Sequence, residues 1–245
     1  MNMQSRRVFA TIGGLGAAAL VLGGAGGCVS PRAPAAGQVA PAEPGDASAF
    51  AIARQTVCEA FPSAGRTTQR AIITVRRRQF VCDGLLTVSP GEGWHLALIS
   101  TLGLVTDVRV NGDGTGAVLK VTPLFREDWA RDYVMRELLW VFVPPPGLAP
   151  VGRRRDGRLV LESPRRGDGV RVRYVCSANG RSWEELEVEC WGRRLFYARI
   201  SGYRTFPGWP RAVPGEVEAD AGTHQLHLRI AAISVTAVLP GEGAR

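Results

Sequence analysis

The sequence predicts a mainly β fold with inserted helices, an α+β chain built on antiparallel strands. Three observations carry this. Short runs alternate apolar and polar positions, as half-buried strands do. Glycine-rich clusters, Pro90-Gly91-Glu92-Gly93 and Asn111-Gly112-Asp113-Gly114, separate consecutive runs, so turns rather than crossovers join neighbouring strands. Only two segments change to a helical period.

The chain opens with Ser5-Arg6-Arg7-Val8-Phe9 and an apolar, Gly/Ala-rich run from Ala10 to Gly27. A charged start, an apolar middle and small residues before a cut site make a secretory signal, and the paired arginine resembles a twin-arginine export motif. Cys28, directly after Ala25-Gly26-Gly27, resembles the end of a lipobox, whose cysteine is acylated and becomes the new N-terminus. Residues 1–27 are therefore read as an export signal peptide and Cys28 as the lipidation site, anchoring the protein to a membrane. An uncleaved spanning helix fits poorly, because Gly13, Gly14, Gly16, Gly23, Gly24, Gly26 and Gly27 each cost about 1 kcal/mol of helix propensity. Acyl chains hold instead, at about 0.8 kcal/mol per buried CH2. Residues 28–48 are rich in Pro, Ala and Gly and read as a lipidated flexible tether. Residues 49–240 then form one domain, long enough for a proper core.

Within that domain, Ala47 to Phe61 has helical composition and stops at Pro62. Five alternating strands follow: Thr68–Arg76, Gln79–Val88, Trp94–Ser100, Val105–Val110 and Ala117–Val121. The period then changes. From Leu124 to Phe142, Trp129, Tyr133, Leu138 and Phe142 recur at helical steps, acidic residues occupy the first turn, and Pro144-Pro145-Pro146 ends the helix. Strands resume at Arg158–Glu162, Val170–Cys176, Glu185–Trp191, Leu195–Ile200 and His224–Val235. A register facing Val172 with Val188 and Tyr174 with Leu186 also sets Arg171 against Glu189 and Arg173 against Glu187. Such opposite-charge pairs contribute about 0.2 to 1 kcal/mol each. A two-residue turn at Asn179-Gly180 would shift this register by one, unless a bulge at Glu184-Glu185 corrects it.

The net charge of +8 falls to +6 without Arg6 and Arg7, and Lys120 is the only lysine among 30 basic residues. Arginine runs at 76–78, 153–155, 165–166 and 193–194 could meet phosphate or anionic lipid headgroups, or simply be solvated loop ends. No aromatic platforms interleave with them, which argues against nucleic acid. Apart from Cys28, Cys58, Cys82, Cys176 and Cys190 form an even set in an oxidising compartment, so two disulfides are expected. Local pairing would join Cys58 to Cys82 and Cys176 to Cys190, but the register above places Cys176 and Cys190 at opposite ends of a strand pair, so connectivity stays open. No cysteine spacing suits a metal, and no cofactor motif is present.

No enzyme signature emerges. His224 and His227 point to opposite strand faces, no serine sits in a GxSxG elbow, and the Asp128/Asp132 pair lies beside Arg131 and Arg136 on a solvated helix face. Apolar surface is the better lead. Trp94, Leu96 and Leu98 share one strand face, and with Trp129, Tyr133, Leu138 and Phe142 they would line either an ordinary core or a cavity closed by the helix.

The segment Arg78-Gln79-Phe80-Val81-Cys82-Asp83-Gly84-Leu85-Leu86-Thr87-Val88, with Trp94-His95-Leu96-Ala97-Leu98-Ile99-Ser100-Thr101-Leu102-Gly103, resembles the LolB-like outer-membrane lipoproteins. The helix before a Pro-rich exit, Tyr174 to Trp183, Val213 to Glu218 and His224 to Ile230 follow in the same order. The resemblance implies an unclosed antiparallel half-barrel with a helical lid over a hydrophobic cavity that takes acyl chains. It implies a non-catalytic role in moving acylated lipid or lipoprotein cargo, received from a soluble periplasmic carrier, to the outer membrane. Leu102, before Gly103, would contact the bilayer. Val29 after Cys28 is compatible with outer-membrane retention on the periplasmic face. The alternative is a structural or accessory envelope lipoprotein with a filled core and a protein partner. The four further cysteines and the twin-arginine leader depart from the family pattern and leave the cargo open.

Overall fold

In the computed structural model the described residues are 38–75, 77–89, 93–101, 103–111, 116–122 and 136–235. The strands are β1 (Val39–Pro41), β2 (Gly65–Val75), β3 (Arg78–Ser89), β4 (Gly93–Ser100), β5 (Gly103–Val110), β6 (Gly116–Val121), β7 (Ala149–Arg154), β8 (Leu159–Glu162), β9 (Val170–Cys176), β10 (Trp183–Cys190), β11 (Arg193–Ser201), β12 (Glu216–Asp220) and β13 (Gln225–Val235). Among the described residues two α-helices accompany them, α1 (Ala47–Cys58) and α2 (Arg136–Phe142). Among the described residues all thirteen strands join one sheet in the order β1-β7-β8-β9-β10-β11-β12-β13-β2-β3-β4-β5-β6, every pair antiparallel. The sheet is unclosed: β1 and β6 are its two edges.

One face of this sheet carries the core because the strands alternate. Along β2, Thr67, Gln69, Ala71 and Ile73 are buried while Arg66 and Arg70 are exposed. The same parity buries Trp94, Leu96 and Leu98 in β4, Phe196, Ala198 and Ile200 in β11, and Leu226, Leu228 and Ile230 in β13. Burying a side chain of this size contributes about 1.5 to 3 kcal/mol. Helix α1 lays Phe50, Ala53 and Val57 on the same core. Its approach depends on Gly180, at φ +72°, where a Cβ would stand 2.6 Å from the Ala49 carbonyl oxygen and 2.8 Å from the Ala53 nitrogen. No other residue fits there.

Of the two β9–β10 registers left open, the charge-paired one is present. Val172 faces Val188, Tyr174 faces Leu186, Arg171 faces Glu189 and Arg173 faces Glu187, and the ladder shifts between Trp183 and Glu185. The turn is longer than a two-residue one: the Ser177 amide donates to the Ser182 carbonyl and the Gly180 amide to the Ser177 carbonyl, so the bulge restores the register. On the outer face Arg173 lies 3.0 Å from Glu187 and 2.5 Å from Glu162, and Arg171 bridges Glu162 and Glu189. Burial opposes the charge of Arg173, but the Glu162 and Glu187 carboxylates outweigh it and hold its pKa above the usual arginine value.

Four expectations are corrected. All four thiols are free: Cys58 is exposed, Cys82 and Cys176 are buried, and Cys190 is half-buried. Cys176 pairs with Trp183 and Cys190 with Val170, some six residues or about 20 Å apart along the ladder. A disulfide needs Cα atoms about 4.4 to 6.8 Å apart. Cys82 sits in mid-strand opposite Ala71. Part of the stretch read as tether, residues 39–48, is built into the fold, because β1 pairs with β7 and Arg153 holds Asp46 at 2.8 Å. The helix from Ala47 ends at Cys58, earlier than Phe61. Strands β7 and β12 were also absent from the sequence reading. β7 is interrupted by Pro150 and Gly152, and β12, Glu-Val-Glu-Ala-Asp, consists mostly of poor strand formers that β11 and β13 hold in place.

Candidate functional site

The inner face of the sheet under α2 is the site the sequence points to. Trp94, Leu96 and Leu98 are 7%, 0% and 1% exposed, on the core side of β4. Phe142, the last residue of α2, is buried and meets the Phe61 ring edge-on at 4.6 Å. Trp140 lies 5.5 Å from Phe196 of β11. These residues belong to one continuous apolar cluster reaching from β4 to β11. Leu138 falls in α2. Trp129, Tyr133, Leu102 and Cys28 lie outside the described residues, as does most of the segment 124–142 read as a lid.

Two polar ties fasten α2 to the sheet. The Tyr174 hydroxyl donates to the Trp140 carbonyl at 3.1 Å. Burial holds that phenol well above the usual tyrosine pKa, so it remains a donor. The second tie is a buried pair, His224 Nε2 with Glu137 Oε2 at 2.8 Å, with side-chain exposures of 5% and 4%. His224 Nδ1 also meets the Thr223 hydroxyl at 3.0 Å. The order Thr, His, Glu resembles a nucleophile, base and carboxylate. Its imidazole and carboxylate are shut away from solvent, and its geometry serves to pin the first turn of α2 to the β12–β13 turn. His95 meets Asp107 on the outer face, where the imidazole is half exposed. Sequence reasoning missed both carboxylate partners: His224 and Glu137 are 87 residues apart, and His95 meets Asp107 of the adjacent strand diagonally, since the register sets His95 opposite Arg109. Among the described residues no three His, Cys, Asp or Glu side chains gather as a metal site.

A polar group interrupts the apolar inner face. Gln69 of β2 is 1% exposed, and neither its amide oxygen nor its amide nitrogen has a hydrogen-bond partner among the described residues. It lies opposite Gly84 of β3 and folds over it: a Cβ on Gly84 would be 2.9 Å from both Gln69 Cγ and Nε2, and 3.1 Å from Leu98 Cδ2. The missing side chain at Gly84 makes room for the amide next to Leu98. Buried amides without partners are rare, since each orphaned group costs about 1 to 3 kcal/mol.

Comparison with known proteins gives a fold and no family assignment from sequence. No family model matches the chain, and no curated protein matches it. Among solved structures, a LolA superfamily protein from Nitrosomonas europaea superposes with a TM-score of 0.56 at 10% identity, covering 78% of this chain and 95% of that one. A putative outer membrane lipoprotein-sorting protein domain from Vibrio parahaemolyticus reaches 0.49 at 9% identity over 78% and 93%. A DUF1329 family protein from Desulfovibrio piger reaches 0.46 at 9% identity over 80% and 95%. The unclosed antiparallel sheet described above is thus a LolA-like half-barrel, a likeness of fold at an identity too low to carry the narrower LolB-like assignment.

Proposed function

We propose that the protein is a lipid-anchored, periplasm-facing carrier that takes the acyl chains of a lipid, glycolipid or lipoprotein against the inner face of its half-barrel and passes them to the outer membrane, without catalysis. The observation that carries this is the LolA-like half-barrel whose inner face carries an apolar cluster from β4 to β11 and the Gln69 amide, which has no hydrogen-bond partner among the described residues. Acyl chains would displace apolar contacts made by α2, exchanging one apolar surface for another at small net cost. Gln69 would then find its partner in the ester or amide group of the cargo.

In this reading Cys28 carries the anchor, and Trp94, Leu96, Leu98, Leu138 and Phe142, with Trp129 and Tyr133, contact the chains. Leu102 would touch the bilayer at the β4–β5 connection, since burying a leucine gains about 1.5 to 3 kcal/mol without fixing the protein permanently. Loading by a soluble periplasmic carrier completes the route. Among the described residues no helix is long and apolar enough to cross a membrane.

A second reading, an accessory lipoprotein with a filled core and a protein partner, draws on the close packing of those same residues into one cluster. Organic extraction of the protein purified from a bacterial envelope, followed by mass spectrometry, separates the two. The carrier reading expects acyl lipid in defined stoichiometry, reduced in Gln69→Leu. Lipid-free protein that stays lipid-free on incubation with envelope lipids supports the filled core.

A further inference from the structure

The antiparallel ladder determines which strand connections share an end. Val75 pairs with Arg78, Thr74 with Gln225, Gln225 with Asp220 and Asp220 with Tyr197, while Cys190 pairs with both Arg193 and Val170. The β2–β3, β8–β9 and β10–β11 connections therefore lie at one end of the sheet. The β4–β5 connection lies there too, because Ile99 pairs with Asp83 in the first half of β3. Three of the four arginine runs fall on this rim: Arg77 and Arg78, Arg165 and Arg166, Arg193 and Arg194, all exposed. Nearby acidic groups are already engaged, Glu189 by Arg165 and Arg171, and Asp168 by Arg166.

Trp191 stands among them. It is 71% exposed, the most exposed large apolar side chain among the described residues. It occupies the β10–β11 turn at φ +51°, followed by Gly192 at +82°, a position that asparagine, aspartate or glycine fills in most hairpins. The ring is nevertheless held. It packs on Gly169, where a Cβ would come within 2.3 Å of it, and the Arg165 guanidinium lies 5.6 Å over its face. An exposed indole ringed by arginines matches the boundary of a bilayer, where tryptophan rests at headgroup depth and guanidinium groups pair with phosphates.

We propose that this rim docks on anionic lipid headgroups, with Trp191 entering the interface and Arg165, Arg166, Arg193 and Arg194 contacting phosphate. The proposal goes beyond the carrier reading and needs no acyl cavity, so either can fail alone. The test uses residues Gly37–Arg245, a compact unit with its own core and without the acylated anchor. Its sedimentation with phosphatidylcholine vesicles is compared with and without phosphatidylglycerol. Binding should require phosphatidylglycerol and fall with salt. Arg193→Gln/Arg194→Gln should weaken it by about fivefold per arginine. Trp191→Ala should weaken it several-fold and abolish the blue shift of tryptophan emission, leaving a salt-sensitive remainder. Arg155→Gln/Arg181→Gln removes the same charge from exposed turns at the opposite end and should change little. Equal loss in that control, or no binding by folded wild type, overturns the assignment; the latter leaves the rim to an acidic protein surface.

Discussion

Gln69 concentrates the tension between stability and role in one side chain. Its amide is buried, and neither polar atom has a hydrogen-bond partner among the described residues. Leucine at this position removes an orphan that costs about 1 to 3 kcal/mol, so Gln69→Leu should raise the urea midpoint of the cargo-free protein and weaken acyl-probe binding. A variant that is both less stable and unimpaired in binding would show the amide to be satisfied by other means. The thiols give a second residue-scale outcome. Burial pushes Cys176 up to about 12 and raises Cys82 as well, so neither is a ready thiolate at neutral pH. Intact-mass analysis after alkylation of Gly37–Arg245 should find exposed Cys58 modified first, Cys82 and Cys176 only on unfolding, and no disulfide. A mass lower by about four hydrogens would mean two bridges.

Elements α1 and α2 are held by contacts that strand and helix periods do not encode. Removing Glu137 takes a buried carboxylate hydrogen bond from His224 Nε2, so Glu137→Ala should cost about 1.5 to 3 kcal/mol in urea unfolding and increase amide exchange in α2 selectively. Uniform loss of protection across the sheet would contradict a local tie. At the start of α1, the hydrogen bond from Arg153 holds the Asp46 carboxyl below its ordinary pKa of 3.8. A depressed carboxylate pKa stabilises the fold above the unfolded value, and the contribution disappears as pH falls through the lower folded value. Wild type should therefore lose stability relative to Asp46→Asn as pH drops below about 4, with the difference constant at neutral pH.

Sequence reading succeeded where one local rule governed an element. Alternation and charge pairing offered the observed β9–β10 register against one shifted by a residue, and the irregularity between Trp183 and Glu185 decides for the charge-paired one. It failed where tertiary context decided. β1 forms in a Pro/Ala/Gly-rich stretch because the edge of β7 accepts it, and the His224–Glu137 pair spans 87 residues. Even cysteine count predicted disulfides, but Cys58, Cys82, Cys176 and Cys190 are free, and strand register separates Cys176 from Cys190.

For the whole molecule, alternation and turn chemistry were enough to indicate an antiparallel sheet with inserted helices. The half-barrel rests on the order of all thirteen strands, which places two consecutive blocks, β7 to β11 and β2 to β6, on either side of β12 and β13. That order turns Leu96, Leu98, Phe196, Leu228 and Phe142 toward one interior and sets three arginine runs along one rim. The candidate inner-face residues of β4 were legible because parity alone assigns them. Gln69 was not, since a lone polar residue in a strand carries no signal until Gly84 is found opposite it.

The central claim is that this interior accepts acyl chains, and titration of residues Gly37–Arg245 with a fluorescent acyl probe tests it most directly. The account predicts saturable binding, competed by unlabelled lipid, weakened in Gln69→Leu and lost in Leu96→Asp, with circular dichroism confirming that each variant is folded. A folded wild-type protein that takes up no probe at any concentration below the probe's own aggregation would contradict it.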